Sequence, residues 1–375
     1  MTDLPVPTTL PEFTAAFPDE QACVEYLFNV RWPEGFVCPK CGDTHGSVIT
    51  TRALVECRNG HQTSVTAGTL FHGTRLPLRT WFYGAFLVAT LKPGISALQF
   101  QGQLGITRYE TAYQMLHKLR SALVAPDRDR LRGEVEVDEA YIGGVEPGRP
   151  GRGAVTKSIV MVAVEVIRYP AKGLDGSPIE KMRAGRIRMG VVPDLSAETL
   201  VPWVVANVEE GSTVLTDGNA AYNGLKALGY EHQRVFASRK RISTGQYLPL
   251  VHLIIVNLKT WLRGTFKGAV RSKHRPAYLN EFVFRFNRRF WRGPAFGRVM
   301  EFSARATKRP EYKTLYGVGT PGGWRHPNPR GAPSGQQVEA IWTAILTTAA
   351  PPLQAWLGAH ETAIRERLRV RMEAS

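Results

Sequence analysis

The chain has 375 residues, 43% of them hydrophobic, which is too long for one ordinary domain and apolar enough for two or three with buried cores. Its formal net charge of +16 points to a polyanionic partner, whereas four cysteines are too few for a disulfide scaffold and suit a reducing compartment. No apolar run approaches the roughly 18 residues of a membrane-spanning helix, and residues 1–13 lack the basic and apolar regions of a signal peptide, so we expect a cytoplasmic protein that binds nucleic acid.

The N-terminal third begins with a helical arm, residues 1–34. Residues 18–28 predict a short helix, with Asp19 and Glu20 placed favourably for the helix dipole. Cys23 falls among the apolar positions of this helix, so we interpret it as a core cysteine.

Two metal-binding knuckles follow the arm. Two residues separate Cys38 from Cys41, three separate Cys57 from His61, and fifteen lie between the two pairs. This spacing places three thiolates and an imidazole around zinc. The residues between the pairs alternate like a strand pair, so we predict a zinc ribbon at residues 35–75. Four protein ligands close the coordination shell, which makes the expected zinc ion structural.

Residues 76–128 predict a helical DNA-reading region. Residues 76–91 are apolar at helical spacing, and residues 95–123 divide at Gly105, with Thr107 as a candidate cap for the second helix. That second segment carries the polar residues Arg108, Tyr109, Thr111, Gln114, Lys118 and Arg120. In a basic chain this pattern favours a helix-turn-helix that contacts double-stranded DNA through Arg108 and Lys118. A purely structural helical hairpin is the alternative.

Strands dominate the centre of the chain. Strands are expected at residues 135–142, 158–167, 186–192, 213–216 and 233–237, with a helix at 196–207. The glycine- and proline-rich residues 143–157 predict a loop, and the polar residues 168–185 predict an exposed insertion. The order strand, strand, strand, helix, strand, helix, strand is that of ribonuclease-H-like domains. The predicted fold class is therefore multidomain α+β, in which a zinc ribbon and a helix-turn-helix precede a ribonuclease-H-like α/β domain.

Two acids end strands in this central region. In a ribonuclease-H-like layout the first and fourth strands are neighbours, so Asp138 and Asp217 converge although 79 positions separate them. Two close carboxylates repel each other and are usually held together by a divalent cation, and oxygen ligands favour Mg²⁺ or Mn²⁺. Each acid alone has a simpler explanation, because aspartate is common in turns and Asp217 precedes a glycine.

A third candidate lies on the helix that Pro249 opens. His252 and Lys259 are seven residues apart and therefore share a face of this helix. Histidine is a poorer Mg²⁺ ligand than the glutamate expected at such a site. His252 is therefore a candidate ligand, a water-holding group or a DNA contact, with Asn257 as the other candidate, and Lys259 is expected to contact phosphate.

Four stretches resemble bacterial insertion-sequence transposases with an N-terminal zinc ribbon and an ISXO-like DDE domain. They are FPDEQACVEYLFNVRWPEGFVCPKCG, QTSVTAGTLFHGTRLPLRTWF, EVEVDEAYIGG, and NLKTWLRGTFKGAV taken with YLNEFVFRFNRR, within residues 17–316. The resemblance implies a DDE-type catalytic domain at residues 129–316. In it Asp138 and Asp217 match the first two acids, His252 falls at the third position, and Lys259 follows.

The resemblance also implies an activity and partners. A DDE transposase binds the inverted repeats of its element, cleaves a phosphodiester at each end with Mg²⁺ or Mn²⁺, and joins the freed 3′ hydroxyl to target DNA. Coordinated cutting of two ends implies a homodimer or a higher oligomer, in a bacterial, nucleoid-associated protein. The alternatives are a catalytically weak or inactive DNA-binding protein derived from a transposase, and a structure-specific nuclease on the same fold.

The last part of the chain is basic. Residues 277–291 mix aromatics and arginines, and we expect Leu279, Phe282, Val283, Phe286 and Phe290 to form the buried stripe. We expect the DNA backbone to be held by Arg285, Arg288 and Arg289. Residues 317–375 predict a flexible linker rich in glycine and proline, followed by a helical tail.

Overall fold

The computed structural model describes residues 4–125, 128–143, 157–173, 175–235, 248–268, 270–290, 293–306 and 311. The chain forms two compact units: the first holds the described residues up to 128, with 261–267 and those of 276–315, and the second holds those of 129–260 and 268–275. Most of the predicted loop at 143–157 and the whole predicted tail at 317–375 lie outside the described residues. Among the described helices, none has the length and hydropathy needed to span a membrane.

The described helices and strands are as follows, in chain order. The helices are α1 Leu10–Ala16, α2 Glu20–Arg31, α3 Leu78–Thr90, α4 Ala97–Leu104, α5 Tyr109–Ser121, α6 Ala197–Asn207, α7 Pro249–Phe266, α8 Arg275–Asn287 and α9 Ala295–Arg305. The strands are β1 Gly46–Ile49, β2 Leu54–Cys57, β3 Gln62–Ser64, β4 Glu134–Ile142, β5 Ser158–Lys172, β6 Pro178–Val192, β7 Thr213–Asp217 and β8 Glu231–Val235. Short 3₁₀ helices cover Thr50–Arg52, Ala220–Leu228 and Ser272–His274.

The first unit combines a small sheet with helices. Strands β1, β2 and β3 form an antiparallel sheet in chain order, as the alternation between the two knuckles predicts. Helix α2 begins after Asp19, whose side chain caps it by accepting from the backbone N–H of Ala22 at 2.9 Å. Helix α1, which is not predicted from the sequence, begins with a capping box in which Thr9 and Glu12 satisfy each other's backbone N–H groups.

Helices α3, α4 and α5 pack closely in the same unit. A Cβ atom at Gly84 of α3 would lie 2.7 Å from Met115 of α5 and 2.8 Å from Phe100 of α4, so this glycine permits the close approach. Gly105 ends α4 in the left-handed conformation, as predicted. The predicted cap Thr107 is wrong, because Arg108 occupies the N-cap position of α5 and makes no side-chain capping hydrogen bond.

The second unit is built on one five-stranded sheet. The strand order is β6-β5-β4-β7-β8. The pairs β6–β5 and β5–β4 are antiparallel, and the pairs β4–β7 and β7–β8 are parallel. Helix α6 packs its buried residues Leu200, Val201 and Val204 in the core that also contains Val137 of β4 and Val214 of β7.

Residues 168–185 are mostly exposed, as predicted, but they form strands that the sequence analysis did not predict. Strands β5 and β6 continue through this segment and pair from Ile159↔Val192 to Lys172↔Pro178, with a register shift near Val164. The outer part of this ribbon is exposed on both faces, so its residues lack the apolar alternation by which a half-buried strand is recognised.

The unit boundaries also differ from the predicted ones. Residues 276–315 were expected in the catalytic segment, but their described part belongs to the first unit. Phe284 of α8 and Phe296 of α9 are buried in the same core as Phe82 of α3, which explains the difference.

Candidate zinc and active sites

The predicted zinc ligands come together in the first unit. One donor atom from each of Cys38, Cys41, Cys57 and His61 lies within 4.8 Å of the others. The thiol sulfurs of Cys41 and Cys57 are 3.8 Å apart, and Sγ of Cys38 lies 3.9 Å from Nδ1 of His61. Zn–S bonds of about 2.3 Å at tetrahedral angles separate two sulfurs by about 3.8 Å, so the ligand set fits zinc.

Local hydrogen bonds shape the two knuckles. The N–H of Gly42 donates to the carbonyl of Cys38, the N–H of Gly60 donates to that of Cys57, and both glycines have φ near +75°. A hydrogen bond from the Asn59 side chain lowers the pKa of the Cys41 thiol to about 6, which favours the thiolate that zinc requires. The Cys₃His cluster in this ribbon supports a structural zinc ion.

The two predicted acids converge in the second unit. The parallel ladder pairs Glu134 with Thr213 and Glu136 with Leu215, and two further residues along each strand bring Asp138 beside Asp217. Asp217 ends β7 and accepts from the N–H of Asn219 at 3.0 Å, so it is a turn residue as well. The strand order therefore produces the pair that the sequence predicts.

Glu139 joins this pair, and the sequence analysis missed it. Carboxylate oxygens of Asp138, Glu139 and Asp217 lie within 4.8 Å of one another. The hydroxyl of the fully buried Tyr222 donates to Glu139 at 3.0 Å and holds its side chain. Because neighbouring residues of a strand point to opposite faces, Asp138 alone was assigned to the site. The only signal for Glu139 was its position beside Asp138.

The charges of the three acids are mutually unfavourable. Burial raises the pKa of Asp138 to about 6, with a further contribution from Asp217. Burial also raises the pKa of Glu139 to about 7, and Asp217 and Asp138 add to this effect. Three partly buried carboxylates this close together form a site that a divalent cation would stabilise.

Helix α7 places His252 and Lys259 on the side of this cluster. Nε2 of His252 lies 3.8 Å from Oδ2 of Asp138, is shielded from solvent, and has no hydrogen-bond partner among the described residues. Burial lowers the pKa of His252, and the nearby charge of Lys259 lowers it further, so the neutral imidazole is favoured. The charge of Lys259 also acts on Asp138. Asn257 lies instead among exposed residues of α7.

The three carboxylates supply the oxygen donors that a divalent metal ion prefers, and His252 lies beside one of them, Asp138. The 3.8 Å between Nε2 of His252 and Oδ2 of Asp138 is too long for a hydrogen bond. Two ligand atoms of one Mg²⁺ ion lie about 3.0 Å apart when they are adjacent (cis) and about 4.2 Å apart when they are opposite (trans), so 3.8 Å falls within the range for two ligands of one ion. The shielded Nε2 of His252 is a lone-pair donor aimed at this space. Histidine is a better ligand for Mn²⁺ than for Mg²⁺. A site with both oxygen and nitrogen donors therefore favours Mn²⁺ more than an all-oxygen site would.

The predicted DNA-contacting residues have different environments. Arg108 is exposed at the start of α5, whereas Lys118 is half-buried with its ammonium 6.0 Å from the ring centre of Trp81. Arg120, grouped with them by sequence, is completely buried and donates to Glu281 at 2.6 Å.

The arginines at the end of α8 and in the turn after it are also mostly engaged within the protein. Arg285 pairs with Glu281 at 2.7 Å and donates to the carbonyl of Leu91, so its guanidinium is held inside the first unit. Arg288 lies 4.0 Å over the Phe284 ring, and Arg289 lies 3.8 Å over Phe286. Phe290 was expected to be buried and is 63% exposed, so that part of the predicted stripe is wrong.

Two family models match the chain. Residues 130–287 match an ISXO2-like transposase domain, and residues 18–62 match a transposase zinc-ribbon domain. The chain is similar to insertion-sequence transposases. A curated relative of this transposase-like chain is an uncharacterized protein in transposable element ISH50 from Halobacterium salinarum. The two are 26% identical over 234 residues, which cover 56% of this chain and 71% of the relative. No solved structure matches the chain. The resemblance predicted from the sequence is thus confirmed.

Proposed function

We propose that this protein is a DNA transposase that binds the ends of an insertion sequence and catalyses metal-dependent strand cleavage and strand transfer. The observation that carries the proposal is the convergence of Asp138, Glu139 and Asp217 beside His252, in a region that matches a transposase domain. The strand order β6-β5-β4-β7-β8, antiparallel on one side of β4 and parallel on the other, supports a ribonuclease-H-like fold.

The proposed reaction has two in-line displacements at phosphorus. In the first, a water oxygen attacks the phosphodiester at the element end, and the 3′ oxygen leaves with a proton as a hydroxyl. In the second, that hydroxyl attacks a phosphodiester of the target, and a target 3′ oxygen leaves. A bound Mg²⁺ or Mn²⁺ would supply Lewis-acid stabilisation of the negative charge on the phosphoryl oxygens and would favour the ionised nucleophile.

The side chains of the second unit divide the remaining tasks. Asp138 and Asp217 provide carboxylate oxygens for the cation, and Tyr222 keeps Glu139 next to them. The neutral His252 presents an unbonded Nε2, which can serve as a ligand or hold the attacking water. The ammonium of Lys259 is placed to offset the charge of a phosphate brought to the acids.

The first unit is the proposed DNA-binding part. Helices α4 and α5, joined through Gly105, have the order of a helix-turn-helix, and the exposed Arg108 is its best-placed cation. Arg289 and Lys118 remain candidates for phosphate contacts. We do not propose Arg285 as a DNA contact, because its guanidinium is already bound to Glu281. Since two ends must be cut together, we propose that the active form is at least a dimer.

The proposal is tested by cleavage of DNA that carries the element's terminal repeats. We expect Mg²⁺- or Mn²⁺-dependent nicking by the wild type, and loss of at least 10³-fold of this activity, about 4 kcal/mol, in Asp138→Ala and Asp217→Ala. Both variants should still bind the ends. A wild-type protein that binds the ends and never cuts them would refute the enzyme and favour an inactive transposase derivative.

A further inference from the structure

Glu136 is a buried acid that the proposed chemistry does not use. It lies on β4, two residues before Asp138 and therefore on the same face of the strand, and it is only 2% exposed. A buried carboxylate is costly unless its oxygens accept hydrogen bonds. The partners of Glu136 therefore explain why it is tolerated there.

Those partners are at the start of helix α7. The backbone N–H of Val251 donates to Oε2 of Glu136 at 2.7 Å. In sequence Glu136 precedes Val251 by 115 residues. The contact thus joins strand β4 directly to the first turn of α7 within the second unit.

Among the described residues next to its start, helix α7 has no capping side chain of its own. The residue before the helix is Leu248, a buried hydrocarbon side chain that cannot accept a hydrogen bond, and the first helical residue is Pro249, which has no N–H. The second and third residues of a helix carry the N–H groups that a capping side chain normally satisfies. Glu136 accepts from the N–H of the third residue, Val251, and so takes the place of a capping side chain.

We propose that Glu136 is a positioning residue that caps helix α7 from the neighbouring strand and thereby fixes His252 and Lys259 against Asp138. The proposal rests on the proposed function, because it assigns the aligned groups to one metal-binding site. His252 directly follows the capped Val251, and Asp138 lies two residues from the capping acid. The 3.8 Å separation of Asp138 and His252 is therefore set through this short connection.

The second unit offers a matched control in Glu165. This acid lies on β5, is 8% exposed, and accepts from the backbone N–H groups of Arg132 at 3.1 Å and Arg186 at 3.0 Å. Its removal also deletes a buried carboxylate that accepts from backbone N–H groups, and it additionally breaks the ion pair with the Arg186 guanidinium at 2.6 Å, so it is the harsher loss of the two. None of the described partners of Glu165 lies on α7. Glu165→Ala therefore measures the general cost of losing a buried carboxylate.

The experiment compares full-length wild type, Glu136→Ala, Glu136→Gln and Glu165→Ala. Hydrogen exchange of the peptide covering residues 248–256 reports the cap, and Mn²⁺ titration followed by electron paramagnetic resonance reports the metal site. We expect Glu136→Ala to increase exchange at the start of α7 and to weaken Mn²⁺ binding, each by about fivefold, which corresponds to the cost of about 1 kcal/mol for a lost cap. Cleavage should fall in parallel at unchanged affinity for DNA.

Rescue and control variants separate positioning from general destabilisation. Glu136→Gln keeps an acceptor oxygen and should recover most of the Mn²⁺ affinity, while Glu165→Ala should leave the start of α7 and the Mn²⁺ affinity unchanged. Equal exchange in Glu136→Ala and wild type, or equal Mn²⁺ loss in Glu165→Ala, would overturn the proposal. If Glu136→Ala does not fold, Mn²⁺ affinity in Glu136→Gln as low as in His252→Ala would overturn it. A wild type that neither binds Mn²⁺ nor cuts DNA would refute the proposed function, and the exchange comparison would still decide the cap.

Discussion

Removal of the carboxylate of Glu281 should destabilise the first unit strongly. Glu281 of α8 and Arg120 of α5 are both 0% exposed in their side chains, and their closest atoms are 2.6 Å apart. Arg285 donates to the other oxygen of Glu281 from Nε at 2.9 Å and from Nη2 at 2.7 Å. The change Glu281→Ala would leave Arg120 as a fully buried cation without its counter-ion.

The magnitude follows from the burial of the pair. Breaking a buried ion pair by removing one partner costs about 3–5 kcal/mol, because the remaining charge has no compensation. The same arithmetic predicts that replacing all three residues, with Glu281→Leu, Arg120→Met and Arg285→Met together, costs far less than Glu281→Ala alone. Exchange of a satisfied buried pair for apolar groups of similar volume is often neutral.

Urea unfolding followed by tryptophan fluorescence measures the loss, and hydrogen exchange in α5 and α8 locates it. The control is Glu301→Ala, since Glu301 pairs with Arg298 and Arg305, whose side chains are 54% and 65% exposed. Such exposed pairs contribute about 0–1 kcal/mol. If Glu281→Ala lowers the free energy of unfolding no more than Glu301→Ala does, the buried ion pair does not have the stabilising role described.

Three further predictions concern acidity, zinc and helix packing. Burial alone would raise the pKa of Glu281, but Arg120 and Arg285 outweigh this effect and hold the pKa below its ordinary value. The stability that this acid contributes is therefore present above about pH 4.5 and is lost as the pH falls further. In urea titrations between about pH 5 and 3, the free energy of unfolding should decline less steeply for Glu281→Gln than for wild type. Cys57→Ser should release zinc and increase hydrogen exchange across residues 46–64, whereas full protection after confirmed zinc loss would contradict a structural metal. Gly84→Ala should cost about 1–3 kcal/mol through its contacts with neighbouring helices, while Gly102→Ala in open space should be neutral or stabilising in the same thermal melts.

The zinc ribbon and the acid pair were predictable because local rules govern them. Cysteine and histidine spacing alone specifies the zinc ligands, and the strand order alone brings Asp138 to Asp217. Apolar periodicity also located helix α3 and helix α7 within a few residues.

The remaining features depend on long-range contacts that the sequence does not display. Arg120 looks like a solvent-facing residue until its partner Glu281, 161 residues away, is known. Glu139 was overlooked because strand alternation assigns it to the face opposite Asp138, and Glu136 becomes interpretable only when the first turn of α7 lies against β4. The outer ribbon of β5 and β6 lacks a buried face, so no apolar pattern predicts it.

We propose that Asp138 and Asp217 form one metal-binding site together with groups on α7. Anomalous diffraction from crystals of the full chain soaked in Mn²⁺ tests it most directly. We expect a peak within about 2.1–2.3 Å of carboxylate oxygens of both Asp138 and Asp217, and its loss in Asp217→Asn. A wild-type crystal with Mn²⁺ bound elsewhere and none between these two acids would contradict it.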